Sequence, residues 1–167
     1  PNMRSEITPT SEFYTYRLNA NVRSFETDGI LDEEKLSSPL FKVFCEPATG
    51  HPDNHTYAWV ANDADFLYAA VDFVPDNTMD GDKDYASLYV RTTRGVRCFK
   101  VSVPEQTWGK PGFTYTPRAV YQHKTYEFKI PLVELGLSST ADTEISLAFA
   151  AYGTAAASRV IFVRPGG

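Results

Sequence analysis

The chain has 167 residues, 43% of them hydrophobic and 22% charged, with a net charge of -5. That composition suits a folded domain with a sizeable core rather than a disordered polar segment, and no apolar run reaches the length that spans a bilayer. The acidic balance and scattered basic residues argue against nucleic acid or an anionic membrane surface as partner, since either needs a clustered basic face.

Alternation of apolar and polar residues over 13–18 predicts a strand, and residues 22–25 predict a second, shorter one. Asp32-Glu33-Glu34-Lys35-Leu36 reads as one helical turn, with Asp32 as its cap and acids in the first turn, where the helix dipole favours them. Residues 40–45 form the next expected strand. A polar loop broken by Pro47, Gly50 and Pro52 follows it. Residues 57–61 and 66–74 are expected to pair across Asn62-Asp63-Ala64-Asp65, a stretch of hairpin-loop length.

In the second of these strands Leu67, Ala69, Val71 and Phe73 alternate with Phe66, Tyr68, Ala70 and Asp72. Further on, Ala86, Leu88 and Val90 alternate with Tyr85, Ser87 and Tyr89, and a turn at residues 92–95 leads into 96–103. We expect 66–103 to form an antiparallel meander. Residues 104–117, rich in proline, glycine and aromatics, read as a long exposed loop. Tyr126, Phe128 and Ile130 then alternate with Thr125, Glu127 and Lys129, and residues 131–135 make a helical turn with Pro131 at its start and Gly136 beyond its end. Ile145, Leu147, Phe149 and Ala151 line one face of a late strand, and residues 159–163 add a last one. Roughly nine to eleven strands, with no helix beyond a turn or two, indicate an all-β antiparallel sandwich, jelly-roll-like, in one domain over residues 1–167.

Two stretches carry candidate sites. Between two of the strands, Asp76, Thr78, Asp80, Gly81, Asp82 and Asp84 follow the spacing of an EF-hand loop, with glycine where the chain must turn sharply. Ser87 stands where that loop needs a glutamate and no helices flank it, so a true EF-hand is excluded. Calcium nevertheless accepts irregular loops of oxygen donors, which makes Asp76, Asp80, Asp82 and Asp84 candidate ligands. The plainer reading is a solvated acidic turn that protects a sheet edge. The second stretch holds Trp108, Phe113 and Tyr115, whose rings can stack on the apolar face of a sugar while Gln106, Arg118 and Gln122 bond its hydroxyls. The alternative is that these rings fold back over the open end of the sandwich. Tyr57, Trp59 and Tyr68 lie on strands and read as packing residues.

Nothing in the chain reads as catalytic machinery. No serine or cysteine sits beside a histidine motif, His51, His55 and His123 fall in loops without metal spacing, and the capped turn accounts for Glu33 and Glu34. Cys45 and Cys98 match no metal pattern and are either two core thiols or one disulfide. Asn54-His55-Thr56 fits the glycosylation acceptor pattern, and a start at Pro1 without an initiator methionine suggests an excised module or a mature form.

Four stretches in order carry a family resemblance: Asp28-Gly29-Ile30-Leu31-Asp32-Glu33; Leu67-Tyr68-Ala69-Ala70-Val71 leading to Asp76-Asn77; Asp84 opening the strand that ends Leu88-Tyr89-Val90; and Tyr126-Glu127-Phe128-Lys129-Ile130-Pro131-Leu132 with Glu134-Leu135-Gly136. Together, over about residues 27–149, they resemble family 9 carbohydrate-binding modules and the related DOMON-like domains. The resemblance implies a sandwich often stabilised by calcium, carried beside neighbouring domains in a secreted or cell-surface protein. In sugar-binding members two tryptophans clamp a terminal ring; this chain has Trp59 and Trp108, and none late in the sequence. Some DOMON-like relatives hold haem b through Met, His or Lys, for which this chain offers Met79, His51, His55 and His123. The expectation is thus a non-catalytic, calcium-stabilised extracellular module that binds carbohydrate. A structural or adhesive spacer is the alternative, and a haem-binding electron-transfer module the third reading.

Overall fold

A computed structural model describes residues 13–19, 21–44, 55–73, 85–102, 108–115, 122–138, 142–153 and 159–163. Side chains are described for these except at 43, 44, 55, 113–115, 122, 123, 152, 153 and 159–163. Among the described residues ten strands form two antiparallel sheets: β1 (Tyr14–Arg17), β2 (Phe41–Phe44), β3 (His55–Asn62), β4 (Phe66–Phe73), β5 (Tyr85–Thr92), β6 (Gly95–Ser102), β7 (Gly109–Tyr115), β8 (Gln122–Pro131), β9 (Glu144–Gly153) and β10 (Arg159–Val163). The only helices among the described residues are 3-10 turns at Glu34–Leu36 and Leu132–Leu135. The all-β sandwich expected from the alternation is the fold. No helix of the described residues is long and apolar enough to cross a membrane.

One sheet runs β1-β9-β5-β6, with β10 continuing along the β9 edge that β1 also uses; the other runs β2-β3-β4-β8-β7. Between them the alternating apolar residues meet. Leu88, Phe99, Leu147 and Phe149 from the first sheet face Leu67, Val71, Phe73, Tyr126, Phe128 and Ile130 from the second, each at most 2% exposed. Burial of this kind contributes about 1.5–3 kcal/mol for each large side chain and is the main stabilising term.

The expected meander over 66–103 is corrected. β5 and β6 do pair, but β4 lies in the other sheet between β3 and β8. Both faces of β4 are buried, so alternation marks the strand without telling which neighbour it takes, and the long connection over 74–84 does not enforce a hairpin. The exposed loop expected at 104–117 is corrected too, since residues 109–115 form β7 at the edge of its sheet. Pro111 is accommodated there because an edge strand need not donate every N–H to the ladder.

The predicted strand at 22–25 is a single bridge from Val22 to Asn62, after which the chain crosses the outer face of the second sheet. There Phe25 and Leu31 pack against the outward residues Trp59, Ala61, Tyr68 and Ala70 as a second apolar cluster, and the Trp59 indole donates to the Ser37 carbonyl at 3.2 Å. The reading of Trp59 and Tyr68 as packing residues holds for both. Asp32 does not cap the turn at Glu34–Leu36 by a side-chain hydrogen bond to its orphan amides. Cys98 is an exposed free thiol on β6 rather than a core residue, and Cys45 lies outside the described residues.

Candidate functional site

The outer face of the second sheet owes its character to residues 21–37. This covering segment turns at Asp28-Gly29, where Gly29 adopts a φ of 85°. A Cβ at Gly29 would lie 3.1 Å from the Pro111 carbonyl oxygen, and one at Gly112 would collide with the Gly29 carbonyl, so segment and β7 touch backbone to backbone. Thr125 Oγ1 donates to the Gly29 carbonyl at 3.0 Å. The amides of Asp28 and Gly29 both donate to Glu127 Oε2, at 2.9 and 2.6 Å. Glu127 therefore acts as the β8 anchor for the turn.

Around that anchor the carboxylates gather. One oxygen each from Asp28, Glu33 and Glu127 lie within 4.8 Å of one another, and so do one each from Asp32, Glu33 and Glu34. Glu34 is fully buried and Glu127 is 2% exposed, yet among the described residues both oxygens of Glu34 and Oε1 of Glu127 have no hydrogen-bond partner. Burial pushes the Glu127 carboxyl far above the usual carboxylate range, and the nearby Glu34 pushes it further. Glu34 is raised chiefly by its own burial, with the neighbouring Glu127 carboxyl pulling back against it. Burial and then a hydrogen bond with Asp32 bring Glu33 up to about 7. Chemically, such a group either shares a proton or neutralises its charge with a bound cation.

Beside this group lies a cleft of about 480 Å³, lined by Thr27, Phe66, Trp108, Gly109, Lys110, Lys129 and Pro131. Lys129 Nζ stands 4.4 Å from the centroid of the Phe66 ring. Trp108 packs edge-on against the buried Phe99 at 5.0 Å and remains partly exposed, so it both closes the core edge and lines the cleft. Lys110 stands opposite Glu127 in the β7–β8 register, which places the cleft and the carboxylate group on neighbouring rows of one face.

Of the residues singled out in the sequence, Asp76, Asp80, Asp82, Asp84 and Arg118 lie outside the described residues, as do Gln106, His51 and Met79. Phe113 and Tyr115 fall on β7 and Gln122 opens β8, with Tyr115 paired to Gln122 and Phe113 to Lys124; their side chains, like those of His55 and His123, are not described. Trp108 alone joins a described cleft. The sequence reading missed Glu34, Glu127, Phe66 and Lys129. Alternation along β8 marked Glu127 as outward, and outward usually means solvated. The signal against that was the run of outward Trp59, Tyr68 and Ala70 on β3 and β4, too apolar for a face left to water. No protein-family model, curated protein or solved structure matches this chain.

Proposed function

We propose that this chain is a non-catalytic binding module that takes carbohydrate in the cleft beside Trp108. The observation that carries the reading is the cleft itself: its size falls in the range of small-ligand sites, about 300–1,000 Å³, and it combines flat rings with a few polar groups. Trp108 and Phe66 supply apolar surfaces for the face of a pyranose, while Thr27, Lys110 and Lys129 offer hydrogen-bonding groups for its oxygens. The resemblance to family 9 carbohydrate-binding modules points the same way, and with it go calcium in the loop of Asp76, Asp80, Asp82 and Asp84 and a place in a secreted or cell-surface protein.

The test is a glycan array followed by titration of the best hit, with Trp108→Ala and Lys129→Ala alongside. Both variants should lose most of the binding. Trp108 also packs on Phe99, so the melting temperature of each variant is measured to separate lost contact from lost fold. An array without any binder sinks this reading and leaves the rigid spacer. A Soret band after incubation with haem would instead favour the electron-transfer module.

A further inference from the structure

Glu127 Oε2 is fully engaged by the amides of Asp28 and Gly29, but Oε1 of the same carboxyl and both oxygens of the buried Glu34 face no donor. Leaving buried charge uncompensated costs several kcal/mol for each group, on the order of the gain from a whole core side chain. Among the described residues no cation fills the gap: Lys35 Nζ lies 4.0 Å from Asp72, and Lys110, opposite Glu127, is exposed. Asp28 and Glu33 add further carboxylate oxygens to the same place instead of relieving it.

We propose that Asp28, Glu33 and Glu127, backed by Glu34, form a calcium site that clips the covering segment onto β8. The donors are all oxygen, which selects a hard cation over zinc or copper. Three oxygens within 4.8 Å of one another come within reach of one calcium ion at about 2.3–2.6 Å after small side-chain shifts, whereas magnesium demands about 2.0–2.1 Å and regular octahedral geometry. Backbone carbonyls and water complete the shell, as calcium readily accepts. The carboxylates come from two parts of the chain that only folding brings together, so the ion binds the folded form and stabilises it. This site uses none of Asp76, Asp80, Asp82 and Asp84 and does not depend on any sugar entering the cleft.

The full chain is stripped with a chelator and titrated with calcium chloride by calorimetry, with the melting temperature and amide exchange followed in parallel. Calcium should raise the melting temperature by several degrees in the parent and also in Asp80→Ala/Asp82→Ala, and should slow exchange of the Asp28 and Gly29 amides. Glu127→Gln should lose the calcium response. Because it also weakens the anchor, Glu33→Gln, at a partly exposed position, serves as the second variant and should weaken calcium affinity about tenfold or more. The site is overturned if the parent shows neither heat nor added stability with calcium, if Glu33→Gln binds like the parent, or if the response disappears in Asp80→Ala/Asp82→Ala. A calcium-blind parent in which Glu34→Gln is at least as stable would mean that the two buried glutamates share a proton, and would overturn it too.

Discussion

The Tyr68 phenol donates a 2.6 Å hydrogen bond to Asp63 Oδ2, tying the second apolar cluster to the β3–β4 turn. The other Asp63 oxygen accepts the amides of Asp65 and Phe66, both at 2.8 Å, and the Ser24 hydroxyl donates to Oδ2 at 2.9 Å. Burial pulls this carboxyl upward, but the hydrogen bonds from Tyr68, Asp65, Phe66 and Ser24 outweigh it and hold it at about 2. Its ordinary value is about 3.9. A carboxyl lowered by folding contributes stability that is complete above the unfolded value and is lost as pH falls through the folded one. Urea midpoints should therefore drop between about pH 4 and pH 2. Asp63→Asn should be less stable at neutral pH by about 1 kcal/mol, and its loss over that acid window should be smaller than the parent's. Equal acid slopes for the two proteins would refute the assignment.

The backbone contact between Gly29 and Gly112 leaves no space for a side chain. Gly112→Ala drives its Cβ into the Gly29 carbonyl, which no rotamer can relieve, and should cost about 2–3 kcal/mol. Gly95→Ala is the control. Gly95 has a φ of 111° but open space around it, so only backbone strain, about 1–2 kcal/mol, applies. Limited proteolysis should cut residues 21–40 faster in Gly112→Ala than in the parent, and no faster in Gly95→Ala. Equal cleavage of the two variants would mean that the segment is not held by this contact.

The covering segment is part of the fold rather than a strap across it, and Leu31 tests this. It is 2% exposed among Trp59, Tyr68, Ala61 and Ala70. Leu31→Ala should lower unfolding stability by about 2–5 kcal/mol, as a truncation in the main core does. Denaturant unfolding should stay a single transition by tryptophan fluorescence and far-ultraviolet dichroism alike. Two separated transitions would show the outer layer unfolding on its own.

Much of the fold was legible because a strand between two layers shows its period directly. Leu67, Ala69, Val71 and Phe73 mark one face of β4, and Tyr126, Phe128 and Ile130 mark one face of β8; both sets lie in the core. The turn at Leu132–Leu135 was legible from Pro131 and Gly136, which takes the left-handed conformation expected beyond its end. Sheet membership was not, because a strand buried on both faces is equally compatible with neighbours in either sheet. The carboxylate group was hidden for a related reason. Asp28, Glu33 and Glu34 each fit a surface turn on local chemistry, and Glu127 fits a solvated strand face. They come together only because Phe25 and Leu31 hold the segment on β3 and β4, beside β8, a long-range consequence that no local spacing encodes.

The charged residues lining the cleft are Lys110 and Lys129, both exposed at their ends. An ammonium group over an aromatic ring, as Lys129 is over Phe66, keeps its charge available to a ligand that also stacks on that surface. Acidic sugars such as uronates should then bind more tightly than neutral sugars of the same ring geometry, by about tenfold for two favourable exposed pairs worth some 1.4 kcal/mol together. Because these charges are solvated, the advantage should shrink as ionic strength rises towards 1 M, where the screening length falls to about 3 Å. Lys110→Gln with Lys129→Gln should remove the preference, so that the acidic and the neutral sugar bind equally. Titrations of a uronate and its neutral counterpart at low and high salt settle the point: equal affinities in the parent at low salt would show that the ammonium groups do not select the ligand.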